Sequence, residues 1–131
     1  MMPTKRAKAL IESASFSMLD KIYTYNIPES ETDNVDSTIC LITDVRTDPA
    51  LSGNLDFHAF NQEIEVQIFY ALNASDPTKF ESQLQHLFIQ NGWSEIDSRG
   101  HTFDPDTKQL TVTYYFDYFE IETAKSRSFL V

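Results

Sequence analysis

The sequence predicts an α+β domain of two layers, in which two helices cover one face of an antiparallel sheet of about four to five strands. Two segments have apolar residues at helical spacing, and five others have the alternation or aromatic content of strands. The predicted order is α-β-β-β-α-β-β, and two helices with one apolar stripe each fit most simply on one sheet face. We expect one domain over residues 1–121 and a separate tail over 122–131.

The first predicted elements are a helix over residues 4–19 and a short strand over 21–27. Thr4 is the candidate N-cap of the helix. Its apolar stripe consists of Ala7, Leu10, Ile11 and Ala14. Pro28 ends the strand, and the acidic residues that follow it indicate a solvated loop.

The next two strands are predicted over residues 38–46 and 60–72. The second alternates clearly, with an apolar face and a polar face. The apolar face consists of Ile64, Val66, Ile68 and Tyr70, and the polar face of Glu63, Glu65 and Gln67. Pro49 and Gly53 predict a long connection over residues 47–58.

The second helix is predicted to begin at Asp76 and Pro77, an N-cap residue followed by a proline at the first helical position. Its apolar stripe is Phe80, Leu84, Leu87 and Phe88. Gly92 fits the position just after the helix. Two closing strands follow over 93–101 and 109–121, with a turn containing Asp104 and Pro105 between them.

The last strand has apolar residues on both faces, which a strand of a small antiparallel sheet seldom has. Tyr115, Phe119 and Ile121 fall on the face opposite Tyr114 and Phe116 because side chains alternate along a strand. Both faces therefore need cover. We interpret Tyr115, Phe119 and Ile121 as a candidate interface with another subunit.

Two further segments carry apolar residues where an exposed connection should be polar. Leu51, Leu55 and Phe57 lie in the 47–58 connection and either cap the domain's own core or dock on a partner. The tail over 122–131 ends in three apolar residues after two basic ones, and it is either frayed or a docking arm.

The sequence contains no pattern of a catalytic, metal-binding or nucleotide-binding site. Cys40 is the only cysteine, and it lies in an apolar run with no histidine nearby. His101 could approach Asp104 and Asp106 across a turn, but aspartates that satisfy the turn's own backbone are the more frequent arrangement. We therefore expect no enzyme, no cofactor and no metal site. No apolar run approaches the roughly 18 residues of a membrane span.

The formal net charge of -10 argues against adhesion to nucleic acid, because phosphate affinity comes mainly from lysine and arginine. Such a charge commonly keeps a protein soluble. It also suits a surface that lies beside DNA without holding it. The candidate acidic residues for such a surface are Glu63, Glu65, Glu29, Glu31, Asp33 and Asp36.

Three motifs resemble a family of small proteins from siphophages and prophages of Gram-positive hosts. They are Tyr23-Thr-Tyr-Asn-Ile-Pro-Glu29, Glu65-Val-Gln-Ile-Phe-Tyr70, and Ser98-Arg-Gly-His101 followed by Asp104-Pro-Asp-Thr107. In those phages the family lies among the head–tail joining and tail genes, and it is similar to tail terminator, or tail completion, proteins. The resemblance covers residues 5 to about 119 and transfers no catalytic role.

The resemblance implies a virion protein of the neck, assembled in the host cytoplasm. Its expected form is a homohexameric ring that caps the tube of the major tail tube protein and joins the head connector or stopper protein. DNA would pass through this ring without specific binding. Carboxylates lining the channel would repel phosphates.

Two alternatives remain from the sequence. One is a head-completion or stopper protein of the same neck, which sits one ring away. The other is an acidic inhibitor that mimics DNA and occupies a host enzyme, although the ten basic residues dilute such a pattern.

Overall fold

The computed structural model describes residues 1–53 and 56–121, with side chains described outside 51–58. The predicted tail over 122–131 lies outside the described residues. The elements are α1 (Pro3–Ala14), β1 (Lys21–Thr24), β2 (Ile39–Gly53), β3 (Asp56–Phe69), α2 (Thr78–Gln90), β4 (Trp93–Phe103) and β5 (Leu110–Ile121). A short 3-10 helix, Glu29–Glu31, lies between β1 and β2.

The predicted α+β class is confirmed, with five strands in the order β1-β2-β3-β5-β4 and two helices. One pairing departs from the predicted antiparallel sheet, because β1 runs parallel to β2 with Lys21 opposite Ile39. A parallel pair needs a long crossover, and residues 25–38 supply it. The other three pairings are antiparallel.

Both helices bury their apolar stripes against the same face of the sheet. Ile42, Ile64 and Val66 are fully buried on that face. Phe88 of α2 stacks on Phe116 of β5 with ring centroids 4.2 Å apart and planes 6° from parallel. Apolar side chains alternate with other side chains along β3 and β5 because the core lies on one side of the sheet, as expected.

The bounds of the first helix differ from the predicted 4–19. Met2 is the N-cap and Pro3 occupies the first helical position, where its missing N–H costs nothing. Thr4 is fully buried inside the helix and is not the N-cap, and its hydroxyl donates to the Tyr25 hydroxyl at 3.0 Å. The helix ends early because Ser15 turns left-handed at φ 50.

The second helix begins one residue later than the sequence predicts. Asp76 precedes it, and one carboxylate oxygen accepts the Thr78 backbone N–H at 2.9 Å and the Thr78 hydroxyl at 2.6 Å. Pro77 is the N-cap. Gly92, at φ 90, follows the C-cap Asn91, which is the position that the sequence predicts.

The predicted connection over 47–58 is wrong, because β2 and β3 continue through it as a hairpin. Their pairing extends to Ser52 opposite Phe57 and Gly53 opposite Asp56. Pro49 is compatible with this strand since β1 pairs with β2 only as far as Ile42, which leaves the outer edge of β2 beyond it. A register shift between Asp44 and Arg46 marks a bulge in the same strand.

Candidate assembly surfaces

The sheet face opposite the helices, which we call the open face, is not covered by a helix in the described part of the chain. Tyr115 and Phe119 of β5 lie on it, and Ile121 extends it to the end of the strand. Phe119 is 47% exposed and Ile121 59%, whereas Tyr115 is half-buried and has the Arg99 guanidinium 5.5 Å from its ring centroid. The predicted interface residues thus share one face of one strand.

Glu63 and Glu65 also lie on the open face, on the neighbouring strand β3. Glu65 is paired with Tyr115, and Glu63 with Asp117, so that two carboxylates stand opposite each other on adjacent strands. Like charges in this position destabilise a sheet in isolation. The centre of the open face is therefore acidic.

Two arginines partly neutralise the negative charge of this acidic centre. The sequence alone did not indicate that they lie there. Arg46 on β2 lies opposite Glu63, with Nε 3.5 Å from one carboxylate oxygen, and its Nη1 is 3.8 Å from an oxygen of Asp48. Arg99 on β4 pairs with Asp97 at 3.3 Å. The open face thus carries Asp48, Glu63, Glu65, Asp97 and Asp117 with Arg46 and Arg99.

The acidic loop that contains Glu29, Glu31, Asp33 and Asp36 lies elsewhere. Its position is fixed near the end of β3, where the Leu72 N–H donates to the Val35 carbonyl at 2.9 Å. Six residues of strand separate Glu63 from that end, which is about 20 Å. The structure does not bring the two sets of candidate acidic residues together.

Glu31 differs from its neighbours in this loop because it has partners. Lys21 donates to one carboxylate oxygen at 2.6 Å, and Asn34 donates to the other at 2.7 Å. These hydrogen bonds, first from Asn34 and then from Lys21, lower the pKa of Glu31. Glu31 therefore fastens the loop to β1, whereas Glu29, Asp33 and Asp36 are exposed.

The candidate docking residues Leu51, Leu55 and Phe57 belong to the β2–β3 hairpin region. The backbones of Leu51 and Phe57 are strand, not loop. Leu55 and the side chains of the other two lie outside the description.

Sequence reasoning missed a polar cluster between α2 and the sheet. Tyr70 donates to the Glu81 carboxylate at 2.5 Å, and the His101 Nε2 lies 2.7 Å from the same oxygen. Glu81 is only 8% exposed. The Gln85 amide donates to the Tyr114 hydroxyl at 3.3 Å.

Burial, followed by the adjacent Glu81 carboxylate, raises the pKa of Tyr70 and of Tyr114. Both phenols therefore stay protonated and can donate. The contacts of this cluster join three segments of the chain. Glu81 belongs to α2, His101 belongs to β4, and Tyr70 directly follows the last residue of β3. We interpret the cluster as a fastening of α2 to the sheet, and no local motif could have revealed it.

The turn between β4 and β5 behaves as the sequence suggested. One carboxylate oxygen of Asp104 accepts hydrogen bonds from the backbone N–H groups of Thr107 at 3.1 Å and Asp106 at 2.8 Å, and these bonds lower the pKa of Asp104. His101 turns instead to Glu81. Among the described residues, no three histidine, cysteine, aspartate or glutamate side chains are grouped to hold a metal ion.

Two concavities flank Asp76 on the helix side. The larger, about 510 Å³, lies between the end of α1 and the start of α2 and contains Phe16 and Gln83. The smaller, about 250 Å³, is lined mainly by apolar side chains where β3 ends and β5 begins. We call it the turn-end pocket, and its lining includes Ala71, Leu72, Asp76, Phe103, Lys108 and Leu110.

No helix in residues 1–53 and 56–121 is long and apolar enough to cross a membrane. No curated protein matches the sequence. A family described as "Protein of unknown function (DUF806)" matches over residues 1–119. Since that match covers nearly the whole of the 131 residues, the chain belongs to this family.

Proposed function

We propose that the protein is a structural subunit of a phage neck, a tail terminator that assembles as a ring on the tail tube. The observation that carries this proposal is the open face of the sheet, which is acidic at its centre and apolar toward the end of β5. A monomer gains no stability from exposing Phe119 and Ile121, whereas burying each contributes about 1.5–3 kcal/mol. The motifs that resemble tail terminator proteins support a phage neck as the assembly to which this subunit belongs.

The distribution of apolar side chains supports contacts between copies at both ends of the sheet. Phe119 and Ile121 are exposed where β5 ends. Leu72, 56% exposed, and Phe103, 71% exposed, lie at the opposite end, beside the β4–β5 turn. Two different apolar surfaces on one chain favour a head-to-tail contact, and such contacts close into rings when the rotation between copies allows it.

The acidic centre of the open face supports its orientation toward the channel. Glu63, Glu65 and Asp117 would present negative charge to passing DNA, so that phosphates are repelled and the duplex slides. Arg46 and Arg99 reduce that repulsion locally. In this arrangement the helices face outward, toward the surface of the neck.

The two ring faces would contact the major tail tube protein on one side and the head connector or stopper protein on the other. The β2–β3 hairpin extends past the last residue of β5, because Ile121 pairs with Ala59 and the hairpin continues to Asp56. An extension of this kind, at the same end of the sheet as Phe119 and Ile121, suits a contact with the neighbouring copy of the ring. Leu51, Leu55 and Phe57 remain the candidate docking residues there.

The first experiment is the solution mass by light scattering, with negative-stain imaging of the same peak. We expect rings with a central hole and a mass about six times that of the 15.1 kDa chain. A monomer that also fails to form rings on purified tail tubes would contradict the proposal.

Deletion of the gene separates the terminator from the stopper. Loss of a terminator should give overlong or ragged tails, whereas loss of a stopper leaves tails of normal length that do not join heads. The DNA-mimic alternative is less favoured by the structure, since Arg46 and Arg99 interrupt the acidic face. Binding to a host nuclease that duplex DNA competes away would support the mimic.

A further inference from the structure

We propose that the turn-end pocket of one copy receives the arm, residues 122–131, of a neighbouring copy. The arm is Glu-Thr-Ala-Lys-Ser-Arg-Ser-Phe-Leu-Val, in which Lys125 and Arg127 precede the apolar Phe129, Leu130 and Val131. This inference rests on the proposed assembly and adds which segment joins the copies.

The chemistry of the pocket matches the apolar part of the arm. Ala71, Leu72, Phe103 and Leu110 line about 250 Å³, a space suited to one or two side chains of this size. Leu72 and Phe103 are more than half exposed and gain most from cover. Burying apolar side chains from both partners is the favourable term of such a contact.

The charges beside the pocket match the basic part of the arm. Asp76 is in the lining, and Asp104 and Asp106 belong to the turn that connects Phe103 to Leu110. Lys108 is the one cation among the described lining residues, so that three carboxylates outweigh it. Hydrogen bonds from the Thr78 hydroxyl and N–H lower the pKa of Asp76, and those from the N–H groups of Thr107 and Asp106 lower the pKa of Asp104.

Distance disfavours the chain's own arm as the occupant of the pocket, because only Val131 reaches about 36 Å from Ile121, and only with the chain fully extended. The arm leaves β5 at Ile121, whereas the pocket adjoins Leu110 at the other end of that strand, about 36 Å away at strand rise. Phe129 is eight residues beyond Ile121 and reaches at most about 28 Å when fully extended. The arm of a neighbouring copy can reach this pocket if the Ile121 end of that copy's sheet lies beside it.

The resulting contact is head-to-tail, with one end of the sheet meeting the other end of the next sheet. Phe119 and Ile121 would approach Leu72 and Phe103 across the same seam. Such a contact forms a ring if it closes and a filament if it does not. The strands would then run around the ring and not along its axis.

The test is disulfide trapping between two full-length variants of different tag size, Leu72→Cys and Leu130→Cys. The matched control replaces Leu72→Cys with Gln83→Cys, which lines the larger concavity on the other side of Asp76. Cys40 is common to all variants and fully buried. We expect the Leu72 pair to give at least about tenfold more mixed dimer than the Gln83 pair, the ratio that one buried apolar contact supports.

A charge test accompanies the trapping. Lys125→Glu with Arg127→Glu should lower the yield of mixed dimer about threefold, and Asp106→Lys should restore it, since exposed ion pairs contribute at this level. Lys79→Glu, an exposed reversal away from the pocket, is the control.

Each outcome bears on the two proposals separately. Equal trapping at Leu72 and Gln83, or an internal disulfide in the Leu72→Cys/Leu130→Cys double variant, overturns arm exchange even if rings form. Trapping in open filaments without rings supports arm exchange and contradicts the terminator ring. Absence of trapping in the assembled protein overturns arm exchange, and the terminator ring is overturned as well if no rings form on purified tail tubes.

Discussion

The two faces of this sheet are built from the same strands but have opposite surroundings. On β3, Val66 is fully buried beneath the helices, while its neighbour Glu65 is half-buried on the open face. On β5, Phe116 stacks on Phe88, while Phe119 is 47% exposed. The helix face therefore determines whether the chain folds, and the open face is available for what the folded chain contacts.

The largest effect is expected from a core substitution on the helix face. Phe88→Ala removes a ring stacked on Phe116 and should lower the free energy of unfolding by about 3–5 kcal/mol. Urea denaturation followed by circular dichroism measures it. Phe119→Ala on the open face is the control and should cost well under about 1 kcal/mol in the monomer. Equal costs would contradict the division between the faces.

The polar cluster should come next. Glu81→Ala leaves the Tyr70 hydroxyl and His101 without their shared acceptor and should cost about 1–3 kcal/mol in the same assay. Gln83→Ala, at an exposed position on the same helix, should be close to neutral. A neutral Glu81→Ala would show that the cluster does not fasten α2.

Stability should also fall on the alkaline side. The pKa values of Tyr70 and Tyr114 are raised in the folded state above the unfolded value of about 10. Their contribution to the free energy of unfolding is therefore fully present below about pH 10. It is lost as the pH rises above about 10, because the unfolded chain then releases these protons while the folded chain retains them. By pH 12 the loss should be on the order of 1–3 kcal/mol for each of the two tyrosines. Denaturation at pH 8 and pH 11.5 tests this, and Tyr70→Phe should reduce the difference between the two.

The end of α2 should give a smaller effect. Gly92 has φ 90, and a Cβ there would lie 3.3 Å from the Tyr118 ring, so that Gly92→Ala should cost about 1–2 kcal/mol. Gly100 has no neighbouring atom within 4 Å of such a Cβ, which makes Gly100→Ala the matched control. Thermal unfolding of both variants separates backbone strain from general sensitivity to alanine.

The smallest effect on folding is expected at the exposed ion pair of the open face. Arg46→Ala removes a contact of 3.5 Å with Glu63 and should change the free energy of unfolding by less than about 1 kcal/mol. If the open face lines a channel, the same change should make ring assembly more sensitive to low salt, because it adds to the acidic repulsion. Sedimentation at 20 and 300 mM salt measures this, with Lys79→Ala as the control.

Much of the fold could be read from local patterns. The alternation around Ile64 and Val66 predicts β3, and Asp76 with Gly92 brackets α2 within two residues of its observed ends. Local patterns gave a wrong prediction where the conformation of a residue depends on its place in the sheet. Pro49 reads as a loop residue, yet it lies in β2 where no strand pairs with its outer edge.

The open face and the polar cluster around Glu81 were less predictable from the sequence than the fold. That Tyr115 and Phe119 share the open face follows from alternation alone. The partners of Glu81 could not be found in this way, because Tyr70 and His101 are 11 and 20 residues away and meet it only after the sheet has formed. Arg46 opposite Glu63 depends likewise on the register of a hairpin.

The position of β5 in the sheet has a consequence for biosynthesis. It is the last of the five described strands to leave the ribosome, yet it lies between β3 and β4 and hydrogen-bonds to both. Until residues 110–121 have emerged, β3 has an unpaired edge that can associate with other nascent chains. The sheet therefore closes only after translation has passed β5, and chains truncated before it should accumulate as aggregates.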